Sequence, residues 1–166
     1  MERAGAVALF VLLPVALAGY GMWIGWRHRR QRDVGRFAPL PAEIPPGRPP
    51  DAHLRYTGTT LAGRWLERVA LPGLFGRGDA EVWVEPRGLV FQRTNAPVVA
   101  AAPVVTVSLE RGHAGQTVGH GRVLVVRWEH LTAEGEPVAF DSGFVCASVD
   151  QARALADRVR PAEAAA

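Results

Sequence analysis

The chain has 166 residues, 48% of them apolar, with 13 Pro and 18 Gly; that is room for one ordinary domain and an appendage, and it excludes two large domains. The net charge of +3 is local: residues 27 to 36 carry +4, residues 37 to 51 carry −1, and residues 52 to 166 set 12 Arg against 12 acids. A nucleic-acid partner, which would need basic charge spread over the body of the domain, is therefore excluded from the reading, and the single cysteine, Cys146, excludes an intramolecular disulfide.

Residues 1–3 read as a short extracytoplasmic N-terminus. From Ala4 to Trp26 there are 23 residues without a charged side chain, ~34 Å as a helix at ~1.5 Å per residue, enough for a ~30 Å hydrocarbon core. Residues 4–26 are thus predicted to be a transmembrane α-helix, with Pro14 tolerated inside it. Tyr20, Trp23 and Trp26 crowd its C-terminal end as membrane-interface anchors. Arg27, Arg29, Arg30, Arg32 and Arg36 follow in a basic juxtamembrane segment, residues 27–36, that sets topology and suits lipid headgroups. The charge difference places the N-terminus outside and the C-terminal side in the cytoplasm, a single-pass cell-membrane protein. The rival is a cleaved signal peptide ending near Ala16-Leu17-Ala18, against which the apolar run continues to Trp26 and a basic block follows. Gly21 and Gly25 have the spacing that lets two helices approach and form a homo-oligomer, or are ordinary membrane-helix glycines.

Residues 37–51 form a Pro-rich linker with six prolines between 37 and 50, an extended spacer of roughly 40 Å at most at ~3.1 Å per residue. Residues 52–160 read as short strands broken by Gly and Pro. Tyr56 to Leu61 is strand-like, Ala62 to Ala70 has Trp65, Leu66 and Val69 at the spacing of a helical turn or two, and residues 73 to 78 are a glycine loop. Pro86-Arg87-Gly88 turns a hairpin with Val82 and Val84 facing the core. Val105, Val107 and Leu109 share one face of a later strand, residues 112 to 121 are a Gly-rich loop, and Leu124, Val126 and Trp128 share one face of a strand that pairs with residues 138 to 145. Ser148 and Gln151 form a capping-box pattern ahead of Ala152, Leu155, Ala156 and Val159 at helical spacing, and residues 161–166 are a tail. The fold class is an N-terminal transmembrane helix plus a mainly-β domain of about seven strands, in a small barrel or orthogonal sheets, closed by a C-terminal helix.

The order of YTGTT (residues 56–60), Ala62-Gly63, Trp65-Leu66-Glu67-Arg68-Val69, Gly73-Leu74-Phe75-Gly76, the strand from Leu124 to Trp128 and Asp141-Ser142-Gly143-Phe144 resembles the small actinobacterial single-pass membrane proteins that carry a bacterial pleckstrin-homology-like (PH-like) domain. The resemblance implies a PH-like fold. For some members it also implies genes beside pyrimidine-biosynthesis genes and labels such as transporter or export protein. It supplies no catalytic or ligand residues, and a fold does not fix a function.

The residues themselves offer little chemistry. His113 and His120 are the nearest to metal ligands, but His28, His53, His113, His120 and His130 lack zinc-site spacing. Glu129 and His130 adjoin on a strand and so point to opposite faces, Ser142 lacks a nucleophile elbow, and Cys146 follows a hydrophobic strand as a buried thiol would. Arg64, Arg68 and Arg77 are a candidate anionic-surface patch, or ordinary solvated arginines paired with Glu67 and Asp79. Trp65, Trp83 and Trp128 line either a ligand cavity or the core. No catalytic residue, metal or cofactor is expected. The leading expectation is a non-catalytic, membrane-anchored binding or scaffolding module with the bilayer and a protein as partners. An accessory subunit of a transport or export system comes second, and an enzyme third.

Overall fold

The structure is a computed structural model that describes residues 2–40, 44–45, 47–119 and 121–160, with side chains from residue 12 onward. Met1, Pro41, Pro46, His120 and the expected tail at 161–166 lie outside the described residues, as do the side chains of the expected N-terminus at 1–3.

Helix α1 runs Glu2–Arg36, with Pro14 inside it, so the basic segment continues the helix instead of following it. The expected span is corrected on one point: among the described residues no helix is long and apolar enough to cross a membrane. Residues 12–26 are followed at once by Arg27, Arg29, Arg30 and Arg32, so any longer stretch among the described side chains takes in charge.

After α1 the described residues build ten strands, where about seven were expected, and a final helix. The strands are β1 (Ala52–Leu61), β2 (Arg64–Arg68), β3 (Gly78–Glu85), β4 (Gly88–Arg93), β5 (Val99–Ala101), β6 (Val104–Glu110), β7 (Gly112–His113), β8 (Gln116–Thr117), β9 (Val123–Leu131) and β10 (Pro137–Val145). One antiparallel sheet has the order β5-β4-β3-β1-β10-β9-β6, with β2 added to β1, and β7 pairs β8 separately. β1 is shared: residues 52–56 pair β3, residues 55–61 pair β10, and a bulge between Tyr56 and Gly58, the latter at φ +133°, lies where the partners change. The barrel alternative is corrected, because among the described residues β5 and β6 end the path without pairing. β5 is three residues long, and Pro103 beside it has no N–H to give to a ladder; its carbonyl accepts from Glu129 N at 3.0 Å.

Three local expectations also change. The helical turn read over Ala62 to Ala70 is strand β2, because Gly63 at φ +73° lets the chain double back so that Arg64 faces Leu61. Val105 is exposed, since a register shift between Val104 and Thr106 turns it out of the face that Val107 and Leu109 keep. The glycine loop contains the β7–β8 hairpin, whose turn residues Ala114 and Gly115 both have positive φ, as a tight I′-type connection requires.

Elsewhere the periodic reading holds. β3 and β4 meet across Pro86-Arg87, and Leu124, Val126 and Trp128 of β9 are buried together. Helix α2 (Val149–Val159) starts at Ser148, whose Oγ accepts from Gln151 N at 3.1 Å, and buries Ala152, Leu155, Ala156 and Val159. The core is filled by Tyr56, Phe91, Trp128, Phe140 and Phe144, with ring pairs at 5.1 to 5.5 Å. Phe37, at the start of the Pro-rich segment, packs edge-on against Phe140 at 5.1 Å, and at its far end Arg48 pairs with Glu85 while Asp51 pairs with Arg158. Both ends of that segment are thereby strapped to the β domain.

Candidate functional site

The junction between α1 and the β domain is built from three rungs. Arg36 stands 3.8 Å from Glu67 of β2. One helical turn earlier, Asp33, only 2% exposed, accepts the backbone N–H of Ala70 at 2.9 Å and an Nη2–H of Arg32 at 3.3 Å. Earlier still, the Trp26 ring lies 5.7 Å from the ring of Phe75. As the helix is followed back from 36 to 26 the domain is followed forward from 67 to 75, so the two segments run antiparallel side by side.

The loop carrying Phe75 is held from behind. Arg93 donates to the carbonyls of Gly73 (3.2 Å) and Phe75 (2.5 Å), and its guanidinium lies over the Tyr56 ring. A buried hydrogen-bond chain reaches the same loop: Trp128 Nε1 to Ser142 Oγ (3.0 Å), Ser142 to Thr59 (2.6 Å), Thr59 to Tyr56 (2.6 Å), and Tyr56 O–H to Leu74 O (2.9 Å). The indole can only donate and the carbonyl only accept, so each hydroxyl accepts from the group before it and donates to the next. Burial pushes the Tyr56 phenol well above its ordinary range.

On the outer face of the sheet, a polar cup of about 350 Å³ is lined by Trp65, Ser108, Glu110, His113, Arg127 and Asp141. Arg127 grips Asp141 with two bonds of 2.7 and 2.9 Å, and this pairing raises the guanidinium pKa further. His113 is buried with Nε2 3.1 Å from Asp141 O, and desolvation holds its pKa below the ordinary 6.5, opposed by Asp141. A second, apolar groove of about 520 Å³ lies along the open seam, walled by Pro39, Leu40, Ala102, Pro103, Leu131 and Pro137.

The residues singled out from sequence fall as follows. Tyr20 and Trp23 stack at 6.0 Å on the exposed surface of α1, with Arg27 over Trp23 and Arg30 over Trp26. Arg29 is exposed on the same helix, Arg32 pairs with Asp33, and Gly21 and Gly25 sit on an open helix surface with nothing within 4 Å of an added Cβ. Arg64, Arg68 and Arg77 do not converge outward: Arg64 pairs with Glu67, whereas Arg68 and Arg77 both donate to the Ala114 carbonyl. Trp128 and Trp83 are buried, and Trp65 is 61% exposed. Cys146 is buried and its thiol is pushed up to about 11 by desolvation. Among the described residues no group of three His, Cys, Asp or Glu stands close enough to hold a metal ion; His120 lies outside them. Sequence reasoning missed Asp33 and Phe37. Asp33 carried a signal, as the sole acid among five arginines in residues 27 to 36.

Comparison with family models matches residues 34–160 to the family described as bacterial PH domain-like. Neither the curated proteins nor the solved structures contain a match. The match covers more than half of the chain, which therefore belongs to the bacterial PH domain-like family.

Proposed function

From that family membership we propose that the protein is a non-catalytic binding or scaffolding module, held at the inner face of the cell membrane by α1 with its domain in the cytoplasm. The observation that carries the binding reading is that the groups suited to chemistry are committed to structure. Ser142, Thr59 and Tyr56 form a closed hydrogen-bond chain, Asp141 is held by Arg127, and Cys146 is a buried, protonated thiol. Such an arrangement stiffens a platform and, among the described residues, leaves none of these three groups as a nucleophile with a base beside it. The membrane part of the proposal is supported by the 23 residues from Ala4 to Trp26 without a charged side chain and by the five arginines that follow.

The test is affinity purification of the full chain from solubilised membranes after cross-linking. A protein partner recovered in repeated preparations is the expected result. Preparations that return no partner, or that return a metal or cofactor with the domain, count against it. An accessory role in a transport system is favoured by the open Gly21 and Gly25 surface of α1, and recovery of a multi-spanning protein would select that reading.

A further inference from the structure

The loop from Leu71 to Arg77 presents a partly exposed apolar side chain beside α1. Phe75 is 40% exposed at its tip, although it neighbours the fully buried Leu74. Left-handed glycines on either side, Gly73 at φ +85° and Gly76 at φ +94°, shape the turn. Arg93 and the Tyr56 hydroxyl hold its carbonyls, so the tip is a fixed projection.

Its position is set by α1. Trp26 is the last residue of the uncharged run and Arg27 follows it, so Trp26 marks the level at which an inserted helix leaves the hydrocarbon. Phe75 touches that ring, while Asp33 and Arg36 hold Ala70 and Glu67 ~10 and ~15 Å further along the axis. The antiparallel rungs therefore aim the loop toward the bilayer and the rest of the domain away from it. Around this level the cations are Arg27, Arg29 and Arg30, all exposed, which suit anionic headgroups. An aromatic ring held beside such a cluster matches the headgroup layer, where an apolar body and nearby cations are both solvated.

We infer that the Leu71–Arg77 loop is a lipid-docking element: Phe75 enters the headgroup layer of the bilayer that holds α1, seating the PH-like domain against the membrane surface in one fixed orientation. The inference rests on the proposed insertion of α1 and goes beyond it, because a tether alone leaves the domain free to stand off the surface.

The test uses the full chain reconstituted in vesicles containing phosphatidylglycerol. Spin labels are attached singly to L17C on α1, F75C on the loop and R153C on α2, all exposed positions. Buried Cys146 takes no label in a folded chain, so one label per variant molecule confirms folding. Accessibility to oxygen relative to a water-soluble nickel chelate is then read at each site. The expected result is a lipid-like ratio at residues 17 and 75 and an aqueous ratio at 153. A lipid-like ratio at 17 with an aqueous ratio at 75 overturns the docking inference and leaves the tether standing. An aqueous ratio at 17 overturns the tether, and the docking inference with it.

Discussion

Removing the Asp33 carboxylate leaves the Ala70 amide without its acceptor in a buried place. An orphaned buried donor costs ~1–3 kcal/mol, so Asp33→Ala is expected to loosen the helix from the domain and to speed tryptic cleavage within the arginine cluster by about tenfold. Ser142→Ala acts at the other end of the same support. It strands the Trp128 Nε1–H and removes the donor to Thr59, and thermal or urea unfolding should show a loss of ~1–3 kcal/mol. His113 supplies a pH signature. Burial holds its folded pKa below the 6.5 of the unfolded chain, with Asp141 opposing the shift and Arg68 adding to it. The unfolded chain thus binds the proton first, and its contribution to stability is complete above pH 6.5 and declines as the pH falls through and below that value. Unfolding midpoints measured from pH 7.5 to 5 should fall, and His113→Gln should flatten that fall; an unchanged slope in the variant would place the titration elsewhere.

At the scale of elements, the periodic strands and α2 could be read directly because burial alternates along them with the expected period. β2 could not. Trp65, Leu66 and Val69 have helical spacing, yet Trp65 and Leu66 are 61% and 65% exposed and only Val69 is buried, so the spacing reflected no buried face. Val105 was misplaced because a bulge shifts the register by one residue, an event that leaves no mark in the alternation. The crossing of β10 with the β7–β8 hairpin was also hidden. A Cβ at Gly143 would lie 2.5 Å from His113 Cδ2, so Gly143→Ala is expected to cost ~1–3 kcal/mol by overpacking. The N-cap of α2 makes a milder case, with Ser148→Ala expected to lower stability by ~1 kcal/mol in the same unfolding assay.

For the whole molecule, the sequence indicated a helix, an extended Pro-rich spacer and, by resemblance, a PH-like domain, and the family match over residues 34–160 agrees with the last of these. How helix and domain meet was not legible. The rungs join residues 37 and 49 positions apart, Asp33 to Ala70 and Trp26 to Phe75, and no local pattern reports such pairs. They turn a domain on a stalk into a domain with a defined lower surface, and a binding module with a fixed orientation presents its cup and its apolar groove in constant directions to any partner. The proposed function adds to this a membrane and the side of it on which the domain lies. The most direct measurement is a pair of reporters fused after Ala166, one active only inside the cytoplasm and one only outside, read in separated membrane and soluble fractions. Activity of the inside reporter in the membrane fraction is the expected result. Activity of the outside reporter, or an inside signal found only in the soluble fraction, would contradict it.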